Sequence, residues 1–153
     1  MDLKLEVISV PVSDVARAKK FYQVAFGFRL DADLDAKAYE KLLGFKPPGG
    51  SNFRNVQLTP PGSGCSIHIG TRNTRTKPGS LEGLYLVTDN IEATRAELVS
   101  RGVEVSEPFH FGPAGQTPGV HPEHQDYNSF VSFRDPDGNS WLIQEIRKRL
   151  PGR

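Results

Sequence analysis

The sequence contains a single cysteine, which excludes a fold stapled by intramolecular disulfide bonds. The sequence also lacks an excess of charge of either sign, because 19 basic and 18 acidic residues leave a formal charge of +1. That balance does not suggest a surface for nucleic acid or membrane. No apolar run approaches membrane-spanning length, and the opening MDLKLEV lacks the layout of a signal peptide. We therefore expect a cytoplasmic protein whose partner is a small organic molecule, not nucleic acid or a membrane.

Residues that favour a tight turn occur near the C-terminus, in the stretch FRDPDGNSWLIQEI. Pro136 pre-sets its φ angle, and Gly138 accepts the positive φ that lets the chain reverse between two strands. A calcium loop would need more oxygen ligands than Asp135 and Asp137 supply. We interpret the segment as a structural turn.

An internal repeat organises the chain. An offset of 75 residues pairs VSD at 12–14 with VTD at 87–89, and Gly27 with Gly102. In each copy a strand, a helix cap, a helix and a helix-ending glycine recur in the same order. Three further strands follow in each copy, so each half has the pattern β-α-β-β-β.

The repeat predicts an α+β fold in which one domain spans residues 1–153. Module one covers about 3–70, the linker 71–80, and module two about 81–147. The predicted strands are 5–12, 28–31, 53–58 and 65–69 in module one, and 84–87, 103–106, 129–134 and 141–146 in module two.

Each module carries one main helix with an apolar stripe. The first begins after a cap at Ser13 or Asp14 and continues to Gly27. The second begins after a cap at Asp89 and ends at Gly102. The inward-facing residues are predicted to be Val15, Ala18, Phe21, Tyr22 and Ala25 in the first helix, and Ile91, Thr94, Leu98 and Val99 in the second. A short amphipathic helix is also predicted around Ala36, Tyr39, Leu42 and Leu43.

The paired modules, the opening VPVSDVARAKKFYQVAFGF and the closing FRDPDGNSWLIQE resemble the vicinal oxygen chelate superfamily. This superfamily includes glyoxalase I, extradiol dioxygenases and bleomycin-resistance proteins, and the resemblance covers nearly the whole chain. It implies strands that curl into a half-barrel cavity with helices outside. It also implies a homodimer.

Metal-dependent members of this superfamily carry ligands on the first and last strands of each module. Those positions fall here on Val7, on His68 or Ser66, on Glu82 and on Leu142. Val7 and Leu142 have no lone pair to offer, whereas a divalent ion normally takes at least three protein ligands. We therefore expect no metal and no other cofactor. Ser66 and His68 should face the same side of their strand, because strand side chains alternate.

The remaining ionisable pair at these positions is His68 and Glu82. If the two side chains are close, desolvation and mutual attraction would perturb both pKa values and make them a catalytic acid/base pair. The alternative is a hydrogen-bonded strand histidine and a solvent-exposed glutamate. The sequence leaves both interpretations open.

A long segment, residues 108–129, is rich in glycine and proline and reads as a loop. Loops of this length are usually functional or mobile, which predicts a lid or specificity loop. Its binding candidates are Phe111 and Tyr127 as stacking surfaces, and His110 or His121 as polar contacts. Gln57, Ser66 and Leu142 are further candidates for contact with a substrate or ligand.

Three functions are compatible with these features. The favoured one is a bleomycin-resistance-like protein that binds or sequesters a small, mostly apolar organic molecule in a sheet-lined cavity. The alternative is a metal-independent isomerase or lyase of the glyoxalase-like type, with His68 and Glu82 moving a proton. Metal-dependent glyoxalase I or dioxygenase chemistry requires ligands that the sequence lacks at two positions.

Overall fold

The computed structural model describes residues 1–150. The chain divides into two compact units, each with its own sheet. The first unit comprises Met1–Leu81 and Asp135–Asn139, and the second comprises Glu82–Arg134 and the chain from Ser140 onward. In the described residues, no helix combines the length and the apolar character required to cross a bilayer.

The first sheet has four strands in the order β1-β4-β3-β2. β1 runs parallel to β4, and the other neighbours are antiparallel. The four predicted strands of module one are therefore present, with shifted ends. Their bounds are Val7–Ser9 (β1), Arg29–Asp35 (β2), Arg54–Thr59 (β3) and Ser66–Gly70 (β4).

One helix covers one side of this sheet. Asp14 caps α1, Val15–Lys20, by accepting a hydrogen bond from the backbone N–H of Arg17, and the chain continues as a wider π-helical segment over Phe21–Ala25. The helix contacts β3 and β4. The core residues of this layer are Ala18, Tyr22 and Ala25 on the helix and Val56, Leu58, Ile67 and Ile69 on the strands. A second helix, α2 at Ala36–Leu43, confirms the predicted amphipathic segment.

The turn Asp135–Asn139 belongs to the first unit, although the residues on either side of it belong to the second. One oxygen of the buried Asp135 carboxylate accepts the backbone N–H groups of Asp137, Gly138 and Asn139. The other accepts the Tyr22 hydroxyl at 2.8 Å. Since both carboxylate oxygens are occupied by donors of the turn and the core, the segment is structural, as the sequence predicts.

The second sheet has five strands in the order β5-β9-β8-β6-β7. Their bounds are Leu84–Thr88 (β5), Phe109–Gly112 (β6), Gly115–Pro118 (β7), Phe130–Arg134 (β8) and Ser140–Glu145 (β9). Helix α3, Ile91–Ser100, contacts β8 and β9. Trp141 belongs to the core of this unit, because its ring is buried and stacks on Phe133 at a centroid distance of 5.9 Å.

The predicted strand 103–106 is wrong, because only Val105 forms an isolated bridge, to Phe133. The reason is the side chain of Ser106. Its hydroxyl accepts the backbone N–H of Ser132, while the Ser106 N–H donates to the Ser132 carbonyl. A side-chain oxygen therefore takes the place of a backbone partner, and no regular ladder forms.

The expectation that 108–129 lacks regular structure is also wrong, because it contains the hairpin of β6 and β7. Gly115 adopts a φ of 92° at the turn, a left-handed conformation that glycine accepts without strain. The glycine and proline content that suggested a loop thus belongs to a hairpin turn and to the segment after it.

Two helix details also differ from the sequence prediction. The cap of α3 is Asn90, which accepts the N–H of Ala93, and not Asp89. Val99 is 47% exposed, whereas Ile91 and Leu98 are buried. One residue rotates a helix by about 100°, so the position after Leu98 turns away from the sheet.

Candidate functional site

Each sheet has one side covered by its helix and one side without it. In the first sheet, alternation places a set of side chains opposite the core residues that pack on α1. The register pairs Val7 with Ser66, and Ser9 and Gln57 with His68, so these side chains share a side. We call this set the polar face: Val7, Ser9, Gln57, Thr59, Ser66 and His68.

A continuous chain of hydrogen bonds crosses the polar face. Thr59 bonds the carboxylate of Asp31 on edge strand β2, and its hydroxyl lies 2.7 Å from that of Ser66. The Gln57 amide nitrogen donates to the Ser66 hydroxyl at 3.2 Å, and the Gln57 oxygen lies 2.9 Å from Nε2 of His68. The chain therefore links a carboxylate at the sheet edge to an imidazole on β4.

His68 ends this chain and is half-buried. Burial lowers its pKa from the ordinary 6.5, which favours the neutral imidazole near pH 7. The predicted common side of Ser66 and His68 is confirmed. Glu82 precedes β5, lies in no strand and is exposed, as the alternative interpretation of that residue expects. Its catalytic role with His68 stays a prediction.

On the second sheet, the side opposite α3 carries mostly apolar side chains. Leu142 pairs with Tyr85 and Ser132, while Gln144 pairs with Val87 and Phe130, so their side chains share this side. Phe109 pairs with Phe130. We call this set the apolar face: Tyr85, Val87, Phe109, Phe111, Phe130, Ser132, Leu142 and Gln144.

Three phenylalanine rings form a cluster within the apolar face. Phe109 stacks on Phe130 with centroids 5.5 Å apart, and Phe111 meets Phe130 edge-on at 5.7 Å. Phe111 is 51% exposed, Tyr85 54% and Val87 44%. Several large apolar side chains of one sheet side therefore remain open to water.

The other predicted binding residues lie in the segment around the hairpin, and their polar side-chain atoms bond to other residues of the protein. Nδ1 of His110 donates to the Gly119 carbonyl at 2.8 Å, and its ring meets that of His121 at 5.4 Å. The Tyr127 hydroxyl accepts the N–H of Leu150. Contacts of these three side chains with a ligand stay predictions.

The donor set does not fit a divalent metal at the superfamily positions. Val7 and Leu142 offer only carbon, and Nε2 of His68 is bonded to Gln57. Within residues 1–150, no group of three or more histidine, cysteine, aspartate or glutamate side chains could hold a metal ion. We therefore derive no chemistry through a metal.

A family model supports the assignment that the fold suggests. The model of the Glyoxalase/Bleomycin resistance protein/Dioxygenase superfamily matches residues 4–143. The chain belongs to this superfamily. The match confirms the resemblance to vicinal oxygen chelate proteins and the α+β fold of tandem modules.

Among solved structures, the chain is similar to TnmS3, an antibiotic binding protein from Streptomyces sp. CB03234. The identity is 32% over 95% of this chain and 97% of that one, with a TM-score of 0.68. A glyoxalase/bleomycin resistance protein from the same organism is 32% identical over 93% and 100% of the two chains, with a TM-score of 0.65. A superfamily member from Sphaerobacter thermophilus DSM 20745 is 25% identical over 94% and 98%, at a TM-score of 0.61. No curated protein matches the chain significantly.

Sequence reasoning missed several members of these faces. Asp31 and Thr59 were not singled out because their link to Ser66 depends on how β2, β3 and β4 pair. Phe109, Phe130 and Tyr85 were missed because the register that joins them spans distant parts of the chain. The alternation of Phe109 and Phe111 about His110 was the one available signal for the strand β6.

Proposed function

We propose that this protein binds a small, mostly apolar organic molecule against the apolar face and holds it without a tightly bound metal. The observation that carries the proposal is the exposure of Tyr85, Val87 and Phe111 on one sheet side. Covering about 100 Å² of such surface contributes roughly 2–3 kcal/mol to binding. Aromatic walls with a few polar groups are the usual composition of a small-molecule site.

The relatives support the same class of function. The structure of TnmS3, at 32% identity, is that of an antibiotic binding protein. The missing lone pairs at Val7 and Leu142 favour binding over metal-dependent chemistry. A cytoplasmic homodimer remains our prediction for the assembled protein.

A second function has one observation in its favour. His68 is neutral near pH 7 because burial lowers its pKa, and a neutral imidazole can accept a proton from a bound substrate. A metal-independent isomerase or lyase would use this group, with Glu82 as its predicted partner. Conversion of a bound compound by the purified protein, abolished by His68→Ala, would establish it.

Two valine variants test the binding proposal with N-phenyl-1-naphthylamine, a neutral fluorescent probe. Val87→Lys places a charge on the apolar face, and we expect the Kd to rise at least tenfold. Val99→Lys is the matched control, because Val99 is 47% exposed against 44% for Val87 and lies on α3. Its Kd should change less than twofold. Mass spectrometry should recover the probe unchanged.

The same two valine variants also test whether the probe binds at a different site. A groove of about 650 Å³ in the second unit is lined by α3, the segment 103–106 and β8, and Val99 contributes to its wall. Loss of binding in Val99→Lys alone would place the probe in that groove and contradict the proposal. Absence of probe binding by the unmodified protein would contradict it as well.

A further inference from the structure

We propose that the hydrogen-bonded chain from Asp31 to His68 fixes the His68 imidazole as the Nε2–H tautomer and leaves Nδ1 as an acceptor on the polar face. This acceptor is a site for a small organic molecule that carries at least one O–H or N–H donor. The statement about this molecule concerns the polar face of the first sheet and does not depend on the proposed function at the apolar face. The statement about the tautomer concerns the protein alone.

The Asp31 carboxylate sets which partner donates at each hydrogen bond between Asp31 and His68. The hydrogen bond from Thr59 lowers the pKa of this carboxyl, with a smaller effect of Arg29, so the group is ionised near pH 7. An ionised carboxylate only accepts hydrogen bonds. The Thr59 proton is therefore committed to Asp31, and the Thr59 oxygen must accept from Ser66.

The same logic carries the direction to the imidazole. Since the Ser66 proton is directed at Thr59, the Ser66 oxygen is left to accept from the Gln57 amide nitrogen. The Gln57 carbonyl oxygen then points at Nε2 of His68, 2.9 Å away. A carbonyl oxygen cannot donate, so Nε2 carries the proton. At each hydrogen bond, the assignment of one donor therefore fixes the donor of the next hydrogen bond.

Burial protects the hydroxyl groups in the middle of this series of hydrogen bonds from water. Thr59 and Ser66 are each only 5% exposed, so water has little access to their hydroxyl groups. The opposite tautomer would require the Gln57 amide to turn over and set its oxygen toward Ser66. The Ser66 proton is already used, so two acceptor oxygens would then face each other without a hydrogen.

The other ring nitrogen is available for a ligand. Within residues 1–150, Nδ1 of His68 has no hydrogen-bond partner, and it is not among the buried side-chain atoms that lack one. It is therefore accessible on the half-buried ring. In the Nε2–H tautomer this nitrogen carries a lone pair, which a hydroxyl, phenol or amide N–H of the ligand can satisfy.

The tautomer is measured directly by ¹⁵N NMR of the imidazole nitrogens at about pH 8, where histidine is neutral. The protein has four histidines, and the His68 signals are assigned by their loss in His68→Phe. We expect Nε2 protonated and Nδ1 unprotonated. Thr59→Val frees the Ser66 proton to reach Gln57, so both tautomers should appear. Thr59→Ser keeps the hydroxyl and should restore the single tautomer.

Two results would overturn the tautomer assignment. One is a protonated Nδ1 in the unmodified protein. The other is an unchanged single tautomer in Thr59→Val, which would show that Asp31 and Thr59 do not position the imidazole. Neither result depends on ligand binding, so the binding proposal would stand on its own evidence.

The ligand class is tested with 1-naphthol and 1-methoxynaphthalene, which share the same apolar body but differ in the donor. We expect 1-naphthol to bind about tenfold more tightly, because 1-methoxynaphthalene cannot donate the hydrogen bond to Nδ1. We also expect 1-naphthol to shift the Nδ1 resonance. His68→Phe should remove the preference. Equal binding of both compounds would overturn the ligand statement alone. Binding of neither compound would overturn the ligand statement as well.

Discussion

Serine occupies the side away from the helix in both sheets, as Ser66 in the first and Ser132 in the second, but its neighbours differ. Ser66 is buried among hydrogen-bonding partners, with Thr59 at 2.7 Å and Gln57 at 3.2 Å. Ser132 is paired with Leu142, and its hydroxyl has no hydrogen-bond partner within the described part of the chain, residues 1–150. The polar face is a connected network, and the apolar face is not.

This difference shows where the two modules have diverged. Both keep apolar residues on the helix side of the sheet, such as Ile69 in the first and Ile143 in the second, because each sheet needs a buried layer. The opposite side is free of that demand. One module uses it for hydrogen-bond direction at His68, and the other for apolar contact area around Phe130.

The largest expected effect comes from removing the centre of the aromatic cluster. Phe130→Ala takes out a 7% exposed ring that contacts Phe109 and Phe111, and we expect a loss of about 3 kcal/mol in the free energy of unfolding. Guanidinium unfolding followed by the fluorescence of Trp141, which lies in the second unit, measures it.

Phe111→Ala is the matched control for that experiment. Its ring is 51% exposed, so the same substitution should cost less than about 1 kcal/mol. Similar losses for the two variants would show that the cluster is not anchored at Phe130. Binding of the naphthylamine probe should nevertheless weaken in both, since both rings belong to the apolar face.

An intermediate effect separates the two serines. Ser66→Ala leaves the Gln57 amide and the Thr59 hydroxyl without their shared partner, and we expect a loss of about 1–2 kcal/mol. Ser132→Ala should stay within about 0.5 kcal/mol. Amide hydrogen exchange in β3 and β4 for the first variant, and in β8 and β9 for the second, reports each sheet separately. Equal effects would remove the distinction between the faces.

The smallest effect is a pH dependence at His68. Burial lowers its pKa in the folded protein below 6.5, so the unfolded chain binds more protons in the window between the two values. Stability is therefore fully present above about pH 6.5 and falls as the pH drops through the folded pKa. We expect His68→Gln, compared by denaturant titration between pH 7.5 and pH 5, to show a smaller decline than the unmodified protein.

The other three histidines are present in both proteins, so the difference between the two slopes isolates His68. A variant slope equal to that of the unmodified protein would contradict the lowered pKa. The sign also matters, because a raised pKa would make the unmodified protein gain stability at acid pH relative to the variant.

The repeat was readable in the sequence because it is carried by local signals. Caps, helix-ending glycines and apolar periodicity act over a few residues, and they predicted α1, α3 and most strands. The hairpin of β6 and β7 was missed because its glycines and prolines resemble those of a loop. Strand 103–106 was predicted wrongly because a distant residue, Ser132, decides how Ser106 bonds.

The sequence by itself determined the tandem modules, the superfamily, and the absence of a lone pair at Val7 and Leu142, because these depend on local pattern and side-chain chemistry. Only the tertiary structure decided that Gln57 bonds His68 and that Phe130 joins Phe109. Those contacts depend on strand register, and a shift of one residue would send every side chain of a strand to the other side of its sheet.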